Sequence, residues 1–150
     1  MRAASQRVSE SASQRGGEVE SRVRTRHFRE LIAWQKAMVL ARHVYALTAE
    51  FPKSEQYGLV SQMRRCSVSV PSHIAEGHGR LTDRGFRVFL AQARGSVFEL
   101  ETQIQLASDF HFCAKDAAQG LMDDCNEVAR IINGLLKKLE DSSLEGKSAA

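Results

Sequence analysis

Residues 61–77 read SQMRRCSVSVPSHIAEG, and their reading decides the fold. Leu59, Met63, Cys66, Val70 and Ile74 stand four, three, four and four residues apart. That spacing places them on one face of a helix and not on alternate sides of a strand. Pro71 sits inside this helix, where its missing N–H leaves the carbonyl of Ser67 without its usual partner and its ring crowds the preceding turn. Such a proline costs about 3 kcal/mol in an ordinary helix interior. The helix is therefore expected to kink there or to have the freed carbonyl satisfied, with Ser67, Ser69 and Ser72 as nearby hydroxyls.

Outward from this stretch, three more helices are legible. Toward the N-terminus, Leu31, Trp34, Met38, Ala41, Tyr45 and Thr48 repeat at steps of three and four and predict a helix over Phe28–Ala49, with Trp34 and Tyr45 in the core. Pro52 then stops the chain, and Ser54 is a candidate N-cap for the helix that ends at Gly77. Gly77 and Gly79 suit the left-handed conformation that closes helices. Toward the C-terminus, Thr82 is the candidate N-cap of a third helix along which Phe86, Leu90, Ala93, Val97, Leu100, Ile104 and Ala107 step without a miss. Gly95 and Ser96 interrupt it; the glycine costs about 1 kcal/mol relative to alanine, so its expected use is to let another backbone come close. From about Asp116 the fourth helix carries Leu121, Cys125, Val128, Ile132, Leu135 and Leu139, and the chain beyond Asp141 is expected to fray. Four helices with short connections predict an all-α, antiparallel up-down-up-down four-helix bundle over residues 27–141, followed by a tail over 142–150.

With 150 residues and 43% hydrophobic content, the chain can bury one substantial core, which argues for one domain. No apolar run approaches the length of a membrane span. Cys66, Cys113 and Cys125 show no metal or redox spacing and read as small core residues of a cytoplasmic protein. Charge is unevenly spread. Residues 1–29 hold seven arginines and three glutamates, residues 61–95 six arginines against Glu76 and Asp83, and residues 96–145 four basic against ten acidic side chains. Residues 1–26 have almost nothing to bury and predict a disordered basic arm, either a solvated leader or a segment that grips phosphates.

Candidates for chemistry are few. His27, His43, His73, His78 and His111 form no zinc-helix pair. His73 and Glu76 lie one turn apart, but a carboxylate-bridged metal in a bundle core needs further carboxylates on the other helices, and the inward seams are apolar. Glu76 reads as a helix-end charge paired with Arg80 or Arg65, and Glu99 and Glu101 as surface or interface residues. No metal, cofactor or catalytic residue is expected. The arginines are the feature with a use: Arg64 and Arg65 on the second helix, Arg80 in the turn, and Arg84, Arg87 and Arg94 near one edge of the third helix's apolar face. They serve as subunit salt bridges, as a solvated face or as phosphate contacts.

The segments FP-x-x-E-x-x-GL at residues 51–59, S-V-P-S-x-IAEG at 69–77 and GS-x-x-E-x-x-T at 95–102, in that order, resemble the four helix bundle protein family over about residues 27–139. Those are small bacterial proteins first noticed as reading frames in intervening sequences of 23S ribosomal RNA genes. The motif positions here are Pro71, His73, Glu76, Gly77 and Gly95, and His73 stands where the family pattern usually has Asn. The resemblance implies a non-enzymatic homo-oligomer, with five bundles in a pentameric ring or barrel. One branch is the accessory protein of diversity-generating retroelements, which partners a reverse transcriptase and has affinity for nucleic acid. The basic middle and acidic C-terminal half would suit a head-to-tail ring.

Overall fold

In a computed structural model of the chain, residues 26–148 are described. The expected arm over 1–26 lies, apart from Arg26, outside the described residues. Four helices make up the body: α1 (Ile32–Thr48), α2 (Leu59–His78), α3 (Asp83–Asp109) and α4 (Lys115–Ser148), with no strand among the described residues.

The first helix departs most from its expected reading. Phe28–Glu30 forms a 3₁₀ turn, capped by His27, whose Nδ1 accepts the Arg29 N–H at 3.2 Å. Leu31, in an extended conformation, separates that turn from α1. The buried face of α1 is Ala33, Ala37, Leu40, Ala41, Val44 and Thr48. Trp34 and Met38 are only half-buried, and Tyr45 is 44% exposed. Three of the six buried residues are alanines, which let neighbouring helices approach closely, while the two large aromatic rings ride on the flanks. Tyr45 instead lies beneath the guanidinium of Arg64, 4.6 Å from ring centre to Cζ.

In α2 the expected seam holds: Leu59, Met63, Cys66, Val70 and Ile74 are all buried. The helix runs through Pro71. The serine hydroxyls around it back-bond to the carbonyls of other residues: Ser67 to Arg64 at 2.8 Å, Ser69 to Cys66 at 2.6 Å and Ser72 to Val68 at 2.8 Å. They hold the flanking turns and do not replace the lost bond at Ser67 itself. Gly77 and Gly79 are not left-handed; no described glycine has a positive φ, and Gly79 caps the helix at φ −75°. Gly77 is helical because it packs: a Cβ there would come 2.7 Å from Phe89 Cβ and 2.9 Å from Phe86 Cδ2 on α3. The close approach expected at Gly95 occurs here. At Gly95 a Cβ would meet nothing within 4 Å, and the residue is exposed.

Thr82 caps α3 as expected, its Oγ1 accepting the Gly85 N–H at 3.0 Å. Every member of the α3 seam from Phe86 to Ala107 is at most 2% exposed, which makes this helix the centre of the core. Between helices, Cys66 meets Ser96, Gly77 meets Phe86 and Phe89, Arg94 meets Asn133, and Ser142 meets Asp83. Lys36 pairs with Glu127 at 3.2 Å and His43 with Asp124 at 2.7 Å, tying α1 to α4. On α4 the seam residues are buried except for the half-buried Leu135. The helix continues past Asp141 to Ser148 and does not fray there; the Ser142 hydroxyl donates to Asp83 Oδ2 at 3.3 Å and to the Leu139 carbonyl at 3.1 Å.

The α3–α4 turn closes with a Schellman motif: Phe112 N–H bonds to Ala107 O at 2.9 Å and His111 N–H to Ser108 O at 3.0 Å. His111 itself adopts φ 60°, a place usually taken by glycine. A left-handed L-residue costs about 1–2 kcal/mol, partly offset by its smaller loss of backbone freedom on folding. His111→Gly is therefore expected to stabilise the fold by about 1 kcal/mol, read as a higher urea midpoint at unchanged slope. A lowered midpoint would show that the imidazole contributes more than its backbone costs.

Candidate interaction surface

The six candidate arginines separate into two groups. Arg64 is held inside the chain: its Nε donates to Thr48 Oγ1 at 3.0 Å, an η-nitrogen to Tyr45 O at 3.4 Å, and its charge rests on the Tyr45 ring. Arg80 lies over the Phe89 ring at 4.5 Å, and Arg94 donates to Asn133 Oδ1 at 2.9 Å. Arg64 and Arg94 thus brace helix against helix, and Arg80 ties the α2–α3 turn to α3. Arg65, Arg84 and Arg87 take no part in the ion pairs found among the described residues. Nor does Glu76, which is exposed, so its expected pairing with Arg80 or Arg65 is not formed; Arg80 turns to Phe89 instead.

Successive residues of a helix are about 100° apart, which puts Arg84, Val88, Ala91, Gly95, Phe98 and Thr102 on one stripe of α3, opposite its buried seam. All six are exposed, with Val88 and Phe98 each at 50%. Arg87 and Arg94 flank the stripe on the side of α4. Large apolar side chains, an open glycine and cations therefore share one outward surface, which neither the core nor the other helices cover. Scattered exposed apolar residues are ordinary, but a contiguous stripe rimmed by charge marks a contact surface.

Of the motif positions, Pro71 is buried within α2, Gly77 is buried against Phe86 and Phe89 of α3, and Gly95 lies on the outward stripe. His73 leans on Phe89, ring centres 6.2 Å apart, with its Nδ1 buried and lacking a hydrogen-bond partner. Among the described residues no three His, Cys, Asp or Glu side chains gather around a point. Burial pushes the Cys66 and Cys125 thiols up to about 12, helped for Cys66 by the Glu99 carboxylate and for Cys125 by Glu101, so at neutral pH they are protonated and poor nucleophiles. The Cys66 thiol is spent on the Ser96 carbonyl at 3.0 Å. No described helix is long and apolar enough to cross a membrane.

Sequence reading missed the outward stripe because it followed the inward one. Val88 and Phe98 were legible as apolar residues off the seam, and Gly95 is two positions past Ala93, about 200° around the helix from it.

Comparison with known proteins agrees with this architecture. The family model described as 23S rRNA-intervening sequence protein matches residues 29–134. A solved structure, a protein with unknown function from the S23 ribosomal protein family of Bacteroides thetaiotaomicron, is similar with a TM-score of 0.66. The two share 16% identity over 71% of this chain and 96% of that one, a likeness that speaks for the fold alone. No curated protein matches.

Proposed function

The chain belongs to the 23S rRNA-intervening sequence protein family, and from that premise we propose that it is a non-enzymatic adaptor that assembles with itself and engages nucleic acid, or an enzyme acting on nucleic acid such as a reverse transcriptase, through arginines. The observation that carries this reading is the α3 stripe, in which exposed Val88 and Phe98 and the open Gly95 adjoin Arg84 and Arg87. A core this complete needs no partner to fold, so an apolar outward stripe is most simply a contact surface. The pairing of Cys66 with Ser96 and of Gly77 with Phe86 supports an antiparallel, up-down-up-down arrangement of the bundle. We extend it to a closed homo-oligomeric ring, pentameric as the family resemblance implies, in the cytoplasm. No cofactor, metal or membrane enters this reading.

The second reading, a structural protein–protein module without nucleic-acid affinity, is favoured by one observation: Arg64, Arg80 and Arg94 are engaged within the chain. Salt dependence separates the two. Each phosphate neutralised contributes about 0.7 to the log-log slope for a single strand. Arg84→Ala with Arg87→Ala is expected to flatten the slope for single-stranded RNA by about 1.4 while leaving the melting temperature unchanged. Unaltered binding in the double variant, or none in the parent near physiological salt, would return those arginines to subunit contacts or solvent.

A further inference from the structure

Between α2 and α3 lies a groove of about 550 Å³ whose chemistry is unused by the assembly stripe. Its two walls carry opposite charges, Arg65 on α2 and Glu99 on α3. Both side chains are exposed, yet among the described residues no ion pair joins them. The floor is neutral and already satisfied: the Cys66 thiol donates to Ser96 O at 3.0 Å, and the Ser69 hydroxyl to Cys66 O at 2.6 Å. Glu99 receives a long contact of 3.5 Å from Gln103 and stands beside the Cys66 thiol, which still leaves its exposed carboxylate with lone pairs open to the groove. At one end stands Tyr57, 90% exposed where the chain enters α2.

A ligand matching this groove needs an anionic group for Arg65, a flat face for Tyr57 and N–H donors for Glu99. A carboxylate binds best to two adjacent, parallel donors. Among the common bases, guanine alone presents such a pair on its Watson–Crick edge, through N1–H and the N2 amino group; adenine and cytosine offer a single amino group beside an acceptor. Unpaired bases stacked on aromatic side chains and read along that edge are the usual mode of sequence-specific RNA recognition. We propose that the α2–α3 groove is a guanine-nucleotide site, in which Glu99 accepts from N1–H and N2–H, Tyr57 stacks on the base and Arg65 holds the phosphate. This deepens the nucleic-acid reading at Arg65 and rests on that reading for the source of the nucleotide, an unpaired guanine in RNA; a free guanine monophosphate shares the same chemistry.

Calorimetric titration of the full-length protein with GMP, inosine monophosphate and AMP tests the groove. Inosine lacks only the N2 amino group, so it should bind about tenfold more weakly or worse than GMP, and AMP no better. Glu99→Gln should erase the difference between GMP and inosine monophosphate, and Arg65→Ala the difference between GMP and guanosine. Both residues are exposed, so the variants are expected to keep the parent's circular dichroism and melting temperature. In parallel, a labelled uridine strand carrying one guanine is compared with the same strand carrying inosine; preference for guanine, lost in Glu99→Gln, assigns the source to RNA, and preference in the free nucleotides alone assigns it to the monophosphate. Equal affinity for all three nucleotides, or a Glu99→Gln variant that still prefers GMP, overturns the guanine assignment. Salt-sensitive RNA binding without any guanine preference overturns the groove and leaves the adaptor reading standing, whereas absence of binding to both RNA and nucleotides overturns both.

Discussion

Gly77→Ala is expected to lower the unfolding free energy by about 2 kcal/mol, and Gly77→Leu to abolish cooperative unfolding, although alanine is the better helix former by about 1 kcal/mol. The reason is the neighbour that an added methyl would meet. Phe89 Cβ, 2.7 Å away, is anchored to the α3 backbone and cannot turn aside as the end of a flexible chain would. Phe86 Cδ2 at 2.9 Å belongs to a ring that is itself only 2% exposed. Relief requires α2 and α3 to separate where they pack most tightly, and interiors at crystal-like density do not yield that space without losing contacts elsewhere. Gly95→Ala supplies the internal control. With nothing within 4 Å of the new methyl, only helix propensity acts, and the variant should gain up to about 1 kcal/mol. Urea denaturation of the two alanine variants should therefore move in opposite directions. If both are stabilised, helices α2 and α3 are less closely apposed than Gly77 requires.

The same pair of glycines shows how far the sequence could be read. Glycine in a helix announces a cost, not the face on which the cost is recovered, and Gly95 was assigned the close approach that Gly77 makes. The seam contained the answer: Gly77 is three residues past Ile74 and so faces inward, whereas Gly95 lies opposite Ala93. The seams of α2 and α3 were legible to the residue, because leucine, isoleucine, valine and phenylalanine mark them without competition from other faces. The start of α2 was not: Ser54 caps nothing and lies in a 3₁₀ turn, Lys53–Glu55, while α2 begins at Leu59 behind Gly58. In α1 the large apolar residues and the alanines describe different stripes, and counting apolar residues favoured Trp34 and Tyr45 over Ala33 and Ala37. What settled the face was proximity: small residues allow the closest packing, and Tyr45 was more useful under Arg64. The arginines were legible as a group but not in their separate uses, since a hydrogen bond such as Arg94 to Asn133 joins positions 39 apart in sequence. Local spacing carries no record of a partner on another helix. The groove between Arg65 and Glu99 was hidden for the same reason.

Phe98→Asp is expected to reduce the proposed assembly to single chains of 16.7 kDa while changing the stability of each bundle by no more than about 0.5 kcal/mol. In the isolated bundle the phenyl ring is half exposed, so an aspartate there would remain in water. Within a contact built on Val88, Gly95 and Phe98 it would lose both the buried ring and the hydration of its carboxylate. Loss of a buried phenyl alone is worth about 3 kcal/mol, and an unpaired carboxylate adds several more. At 1.4 kcal/mol per tenfold, even the first of these weakens association more than a hundredfold at every contact. A ring multiplies the effect, since each subunit presents the altered stripe once and each junction would contain it. Phe110→Asp is the matched control: this ring is 58% exposed but sits at the end of α3, away from the stripe, and its loss should leave the mass unchanged. Light scattering across a concentration series, with thermal melts in the same buffer, reads both quantities. Equal masses for the parent and Phe98→Asp would show that α3 does not face a second copy. A Phe98→Asp protein that is monomeric and also much less stable would instead mean that the bundle depends on its neighbours to fold.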